Sequence, residues 1–503
     1  MNIQILNGTG GYFKMNELGY KLIVDKQVKR RIDIINALLY SQKPIKIRNL
    51  AKICNASSKT ISSELEKMNA ILPKSSEICY KELEGVQLIS ENPFLISEFI
   101  NEQLDGNPLY FVVESIFNNV KLTLEDYAFE MYISNSTMNN YLAILKKILK
   151  EDFALNLQTS PYIDIVGGET NIRFFFFQYF RHAHDNAAIS PRDDQYAAVY
   201  NVILHADMQY DLHLNVDYYR LSQWAIIFEQ RVRFGHFVTI DDSVLEKHIG
   251  TNSYKRLRDS FKESFKTNPI LNDIPEKEFL YVYLTKLDGV IYEKGEAIYS
   301  KDYLPLLSTF ETISNSFFQE KHLDLFKHGD LKLITQAFLA NNMLLSDASI
   351  LFQKANSPLK DYARKYYPQF LNSWISILDN QLKKVFPKAH FIEDIATNLT
   401  LICIGYLRLH ELEHKNILFS LTGTPASLIY YKAMLLNIIP NGITPYFIFN
   451  KPLTDSLLDA LDIDLCIYNY KLDIKLNKAE CIRLSNVPTE AEWIQLLPKL
   501  LSL

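Results

Sequence analysis

The stretch IKIRNLAKICNASSKTISSELEKMNAIL, residues 45–72, decides the fold class at the head of this 503-residue chain. Apolar residues recur at helical spacing in two short blocks, Ile45–Cys54 and SKTISSELEKMNAIL. Between them Asn55-Ala56-Ser57 forms a tight turn, in which Ser57 or Ser58 can cap the second block. Leu50, Ile53, Ile61 and Leu65 let the two helices cross around a small core, and Met68 and Leu72 continue the inward stripe. Ser58, Lys59, Thr60, Ser62 and Ser63 are thereby left facing outward at the start of the second helix. Small hydroxyls allow close approach to phosphates and base edges, and Lys59 supplies charge for a polyanion.

Outward from that core, Val28, Ile32, Ile35, Leu38 and Leu39 trace the apolar stripe of a preceding helix, with Lys29, Arg30 and Arg31 on or beside its polar side. Arg30 and Arg31 join the candidate DNA contacts on that ground. After Pro73, Glu77–Tyr80 and Val86–Ile89 read as a hairpin with Gly85 at its turn or bulge. Three helices and a hairpin form the winged helix-turn-helix layout, although another short three-helix bundle would share the pattern.

The organisation repeats. Pro108–Asn118 begins a helix, Thr123 caps LEDYAFEMY, Ile133-Ser134-Asn135 is a turn, and Ser136–Lys150 is a third helix. Met138, Leu142, Leu145 and Leu149 face inward there, leaving Ser136, Thr137, Asn139, Asn140 and Lys146 outward. Asparagines suit adenine edges, though they serve equally as solvated polar residues. A second hairpin follows in LNLQTSPYIDIVGGE. Two such units in tandem are a stronger signal than one.

Charge agrees with that head. Residues 1–75 carry ten Lys and three Arg against two Asp and three Glu, a net of +8 that leaves −13 for residues 76–503. A basic head on an acidic body suits binding to DNA; a solvated lysine-rich surface is the plainer alternative. The five cysteines show no metal-ligand spacing and read as buried reduced thiols of a cytoplasmic protein. No signal peptide and no membrane span is evident. The pairs of histidines at 182–184 and 410–414 lack supporting ligands, so no metal and no cofactor is expected. P-loop, GxSxG, HExxH and paired-acid signatures are absent, which argues against an enzyme.

Residues 172–412 hold many amphipathic or wholly apolar helical stretches, among them RLSQWAIIFEQRVRF, KLITQAFLANNMLL and FLNSWISILDNQLKKVF. Breaks near Ser190-Pro191 and Glu293–Lys301 suggest two all-α bundles. From Lys415 the pattern alternates strand and helix, as in a small three-layer sandwich on a parallel sheet.

The string LIVDKQVKRRIDIINALLYSQKPIKIRNLAKICNASSKTISSELEKMNAILP resembles the first winged helix of Mga/AtxA-type virulence regulators of Gram-positive bacteria. YIDIVGGETNIRFFFFQYF is similar to that family's passage out of its second wing, where Gly168, Glu169 and Arg173 lead into a regulatory helix. The resemblance implies a mainly α, multidomain chain: winged helix-turn-helix units at 1–90 and 91–170, phosphotransferase-system regulation domains (PRDs) at 171–290 and 291–412, and an enzyme IIB-like α/β domain at 413–503. It further implies a homodimeric transcription regulator, acting on virulence or metabolic promoters, whose PRD histidines take phosphate from the phosphotransferase-system phosphocarrier protein. The candidates are His205, His213 and His236 in the first bundle and His322, His328, His390 and His410 in the second. By position His205 and His410 fit best. SLTGTPAS, with Ser420, Gly423 and Ser427, resembles the phosphate loop of enzyme IIB. Ser420 stands where the phosphocysteine would be and Pro425 replaces a glycine, so the expectation is a domain that transfers no phosphate and serves dimerisation through itself and the PRDs. An activator of a sugar-uptake operon would share every domain type. An RNA-binding antiterminator would share the PRDs but begin with a small β-rich domain.

Overall fold

The computed structural model describes residues 17–182, 199, 201–202, 216–292, 304–410 and 415–496, less short gaps at 40, 42, 82–83, 91, 105, 200, 267, 269–270, 272–273, 326, 440–442, 452, 473–478, 490–491 and 494–495. The described residues divide into two compact units, one ending at Ile402 and one beginning at Cys403.

In the larger unit a short α1 (Glu17–Leu22) precedes α2 (Lys26–Leu39), α3 (Ile47–Ile53) and α4 (Ser58–Ile71), followed by the hairpin β1 (Ser76–Lys81) and β2 (Gly85–Ser90). Ile45, expected inside the second helix, instead bridges Val86 through both of its backbone groups at 2.8 Å, adding a third short strand to the wing. Gly85 is required there. Its φ is +129°, and a Cβ would lie 2.4 Å from the Ile45 carbonyl carbon and oxygen.

α5 (Pro93–Leu104) leads to the second triad, α6 (Pro108–Phe117), α7 (Leu124–Glu130) and α8 (Asn135–Phe153), and to the hairpin β3 (Asn156–Gln158) and β4 (Asp164–Val166). The expected helix through Tyr132 ends earlier, because Tyr132 takes φ +53° and turns the chain.

α9 (Glu169–His182) leaves the second wing and opens a helical body of α10 (Tyr218–Arg233), α11 (Asp242–Ile249), α12 (Asn252–Ser264) and α13 (Glu276–Thr285). A further set follows: α14 (Leu304–Ser308), α15 (Glu311–Glu320), α16 (Gly329–Ala348), α17 (Ser357–Tyr366), α18 (Pro368–Val385) and α19 (Ile392–His410). Each set carries the same aromatic lock. Phe177 stacks on Trp224 at 4.1 Å and 4°, and Phe317 on Trp374 at 3.9 Å and 8°. One continuous apolar core runs from Leu22 and Ile35 in the first winged unit through Met138 and Phe175 to Leu284 and Phe352.

The smaller unit contains β5 (Lys415–Leu421), α20 (Pro425–Ile438), β6 (Ile443–Phe449), α21 (Asp455–Ala460), β7 (Leu465–Tyr468) and β8 (Glu480–Arg483). All strand pairs are parallel in the order β6-β5-β7-β8, with apolar clusters on both faces, as the near-continuous apolar strands require.

Candidate nucleic-acid interface

In the first winged unit, Ile47, Leu50, Ala51 and Cys54 form the inward stripe of α3, and the small Ala51 lets α4 approach. Ile53 falls off that i, i+3, i+4, i+7 row. It was expected in the core but is 56% exposed. The corner closes through Ala56 N–H on the Ala51 carbonyl (2.9 Å), with Asn55 at φ +46°. Ser57, not Ser58, is the cap: its Oγ accepts from Thr60 N (3.1 Å) and lies 2.8 Å from Thr60 Oγ1. Ile61, Leu65 and Met68 are buried, whereas Leu72 is only half-buried at the helix end. Ser58, Lys59 and Ser63 are exposed, and Thr60 and Ser62 are half-buried.

One inward position of α4 is an acid. The Glu64 carboxylate accepts from Arg31 Nε (2.7 Å) and Gln27 Nε2 (3.0 Å), with Arg30 Nη1 at 3.5 Å. Burial alone would raise its pKa, but the Gln27 and Arg31 hydrogen bonds and nearby cations hold it below the usual carboxylate range. Arg31 also donates to Gln103 (2.8 Å), so its guanidinium is engaged within the fold. Around this group Arg30, Lys59, Thr60, Ser63 and Lys67 line an open polar cleft of about 420 Å³. Glu64 was missed in the sequence reading; its only signal is a lone acid on an apolar stripe.

The second unit repeats the corner atom for atom. Ile133 N–H meets the Ala128 carbonyl at 2.9 Å, and Ser134 Oγ accepts from Thr137 N (3.1 Å) and lies 2.9 Å from Thr137 Oγ1. Thr123 caps α7 in a reciprocal box with Asp126: Thr123 N–H donates to Asp126 Oδ2 (2.8 Å) and Asp126 N–H to Thr123 Oγ1 (3.2 Å). Ser136, Asn139, Asn140 and Lys146 are exposed on α8, and Thr137 is half-buried. The N-terminal turns of α4 and α8, each with a serine cap, thus present short polar side chains, with Lys59 in the first turn of α4 and Lys146 about three turns along α8. That arrangement fits phosphates at the helix start and base edges along the first turns.

Behind the second wing lies a buried cluster of four charges. Arg173 is fully buried: it donates through Nε to Glu169 (3.0 Å), through Nη1 and Nη2 to both oxygens of Glu278 (2.8 and 3.0 Å), and through Nη2 to the His236 carbonyl (2.9 Å). Arg231 forks onto Glu169 at 2.9 and 2.8 Å, and Val238 N–H donates to Glu278 at 2.7 Å. Burial works against the Arg173 charge, but the two carboxylates, Glu278 foremost, raise its pKa further. Arg231 and Glu278 were not foreseen, since neither carries a local signal.

His205 and His213 lie outside the described residues. His236 is half-buried in the loop after α10, and burial and Arg231 lower its pKa. His410 is exposed at the end of α19, its ring stacked on Tyr406 at 4.1 Å with Nδ1 3.0 Å from the Tyr406 carbonyl. His328 and His248 are buried, and burial pulls the His248 pKa down to about 4. Among the described residues no cluster of three or more His, Cys, Asp and Glu could hold a metal, and no helix is long and apolar enough to cross a membrane.

In the smaller unit Ser420 is buried, with Oγ 2.9 Å from Tyr470 Oη. The following loop is satisfied from within. Thr422 N–H donates to Asn469 Oδ1 (2.7 Å), Gly423 N–H to Asn450 Oδ1 (3.1 Å) and Ser427 N–H to Thr424 Oγ1 (3.3 Å). Two asparagine carbonyls thus occupy amides that a phosphate loop would turn toward an anion.

Together the fold and the two capped corners define a helix-turn-helix regulator. Residues 92–180 match the Mga helix-turn-helix domain, a span that covers the second winged unit and α9 as far as Phe180. Across 453 residues the chain is 23% identical to the capsule synthesis positive regulator AcpA of Bacillus anthracis, covering 82% of this chain and 86% of that one. It is 21% identical over 227 residues to a trans-acting regulator of Streptococcus pneumoniae serotype 4, covering 44% of each. The chain thus carries a Mga-type DNA-binding helix-turn-helix domain and is similar over most of its length to a named regulator; both relatives are named as regulators rather than enzymes.

Proposed function

We propose that the chain seats α4 and α8 together on double-stranded promoter DNA, in the cytoplasm, and controls virulence or metabolic genes. The observation that carries this reading is the repeated serine-capped corner, which leaves Lys59 in one unit and Asn139, Asn140 and Lys146 in the other exposed and outside any ion pair among the described residues. Ser58, Thr60, Ser62, Ser63, Ser136 and Thr137 supply close hydroxyl contacts, while Arg30 and Arg31 act more through Glu64 than through DNA. Genome-wide footprinting of the wild type against Lys59→Ala and Asn139→Ala tests it. Specific sites should weaken in both variants, and binding should fall steeply with salt. A salt-insensitive protein that protects no DNA would end the reading.

The helical body acts in this scheme as two PRDs, residues 171–290 and 291–412. The recurrence of a phenylalanine stacked on a tryptophan in each set supports a duplicated bundle. The phosphotransferase-system phosphocarrier protein phosphorylates histidines there, His205 and His410 foremost, with His213 and His236 as alternatives. Exposure of the His410 ring supports access at that residue. Residues 413–503 act as an enzyme IIB-like module that joins a homodimer and passes on no phosphate. The absence of a thiol at Ser420 and the filled amides of Thr422 and Gly423 support this. Incubation with labelled phosphoenolpyruvate and the general phosphotransferase proteins distinguishes the roles: label on His205 or His410 fits, and label on Ser420 does not. Sedimentation of the full chain, with and without residues 413–503, tests the dimer.

A further inference from the structure

α3 and α7 hold the same place in the two winged units, yet their outer faces are opposite in charge. On α3 the exposed residues include Arg48, Lys52 and Ile53. The matching positions on α7 are Glu125, Phe129 and Glu130, and Tyr132 follows at the corner. Phe129 is 78% exposed and Tyr132 94%, two large aromatic residues three apart in the chain, beside two acids. None of Arg48, Lys52, Glu125 and Glu130 takes part in an ion pair among the described residues. Isolated apolar residues are ordinary on a surface, but adjacent exposed aromatics are characteristic of protein contacts. DNA does not fit the α7 face, because its carboxylates repel phosphate. The chain itself carries a face of complementary charge with an apolar centre.

We propose that the α7 face of one copy docks on the α3 face of a second copy. Phe129 and Tyr132 cover Ile53, while Glu125 and Glu130 face Arg48 and Lys52. Exposed ion pairs add little affinity one by one, so the aromatic cover holds the contact and the charges select the pairing. Different patches meet, so a single contact leaves one α3 and one α7 face free for a further copy. Each face adjoins a recognition helix. The contact therefore joins copies already placed side by side on DNA, where effective concentration is high. The contact itself is independent of the DNA-binding reading; only its role on DNA rests on it.

The test uses full-length protein with the photo-crosslinker benzoylphenylalanine at position 129, mixed in equal amounts with heavy-nitrogen-labelled chain. Adducts should join chains of different mass and map to residues 46–54. Glu125→Lys with Glu130→Lys makes both faces basic; Arg48→Glu with Lys52→Glu makes both acidic. Each variant alone should lose adducts by about tenfold, and a mixture of the two should restore them. On a duplex with adjacent sites, cooperativity should fall and return in the same way. Affinity for a single site, measured in parallel, reports separately on DNA binding. Adducts elsewhere on the chain, adducts to DNA, adducts to another protein in their place, or no rescue in the mixture would overturn the proposal.

Discussion

Ser57 and Ser134 cap their helices with the same bonds, and Ala56 and Ile133 close the same corner, yet the two winged units are fastened differently. In the first, an acid on the inward side of α4 gathers Gln27, Arg30 and Arg31, and the wing is tied to Ile45. In the second, Tyr141 takes the place of Glu64, α8 runs for 19 residues against 14 in α4, and the wing passes straight into the buried cluster of Glu169, Arg173, Arg231 and Glu278. The local code for the corner is therefore independent of how the unit is held. The corner needs a cap, a left-handed residue and a small side chain. The anchoring needs long-range charge pairs that can differ while the corner stays constant.

The largest expected effect breaks the second anchor. Arg173→Met leaves two buried carboxylates short of partners and should lower stability by about 3–5 kcal/mol, read as a shift in the urea midpoint. Arg31→Ala should cost about 2 kcal/mol, because Glu64 keeps Gln27 and Arg30. Equal losses would show that the two units are anchored alike.

The wings give the next contrast. Gly85→Ala puts a methyl against backbone and should cost about 2–3 kcal/mol in the same assay. At Gly167, φ +149°, the added Cβ would meet the Leu155 Cδ2 at 2.7 Å, and that side chain can yield. Gly167→Ala should cost roughly 1 kcal/mol less than Gly85→Ala.

On DNA the two recognition helices should differ in kind. Asn139→Ala should cost about 1–3 kcal/mol on specific sequence and relax preference at one base position. Lys59→Ala should weaken binding alike on all sequences and reduce the salt slope by about one. Gel-shift titrations at several salt concentrations separate these outcomes. The smallest effect sharpens the likeness: Ser57→Ala and Ser134→Ala should each cost about 1 kcal/mol, equally within error of thermal unfolding.

The corners were legible because their determinants are local. Asn55-Ala56-Ser57 and Ile133-Ser134 lie within a few residues of the helices they join, and helical spacing marks Ile61 and Met138 as inward. The parallel sheet was legible from four apolar runs, the first three separated by helical ones. Ile53 misled because a short apolar helix offers more than one possible stripe, and only packing against α4 chooses Ile47, Leu50, Ala51 and Cys54. Ile45 misled because its partner, Val86, is a strand away. Within the candidate interface the outward residues were readable, but the capture of Arg31 by Glu64 and Gln103 was not. Arg173 stood out in sequence, whereas its partner Glu278 lies 105 residues downstream, where no spacing rule reaches. The asparagines that fill the Ser420 loop likewise come from the ends of other strands.

The clasp around Arg173 also bears on how such chains can be recombined. The matched helix-turn-helix domain ends within α9, after Glu169 and Arg173 but before Arg231 and Glu278. A head grafted onto another body at that boundary would bring Glu169 and Arg173 and would need an arginine and a glutamate in the places of Arg231 and Glu278. Exchange of a head at that seam therefore depends on a match of all four residues, apart from any change in the DNA-reading surface.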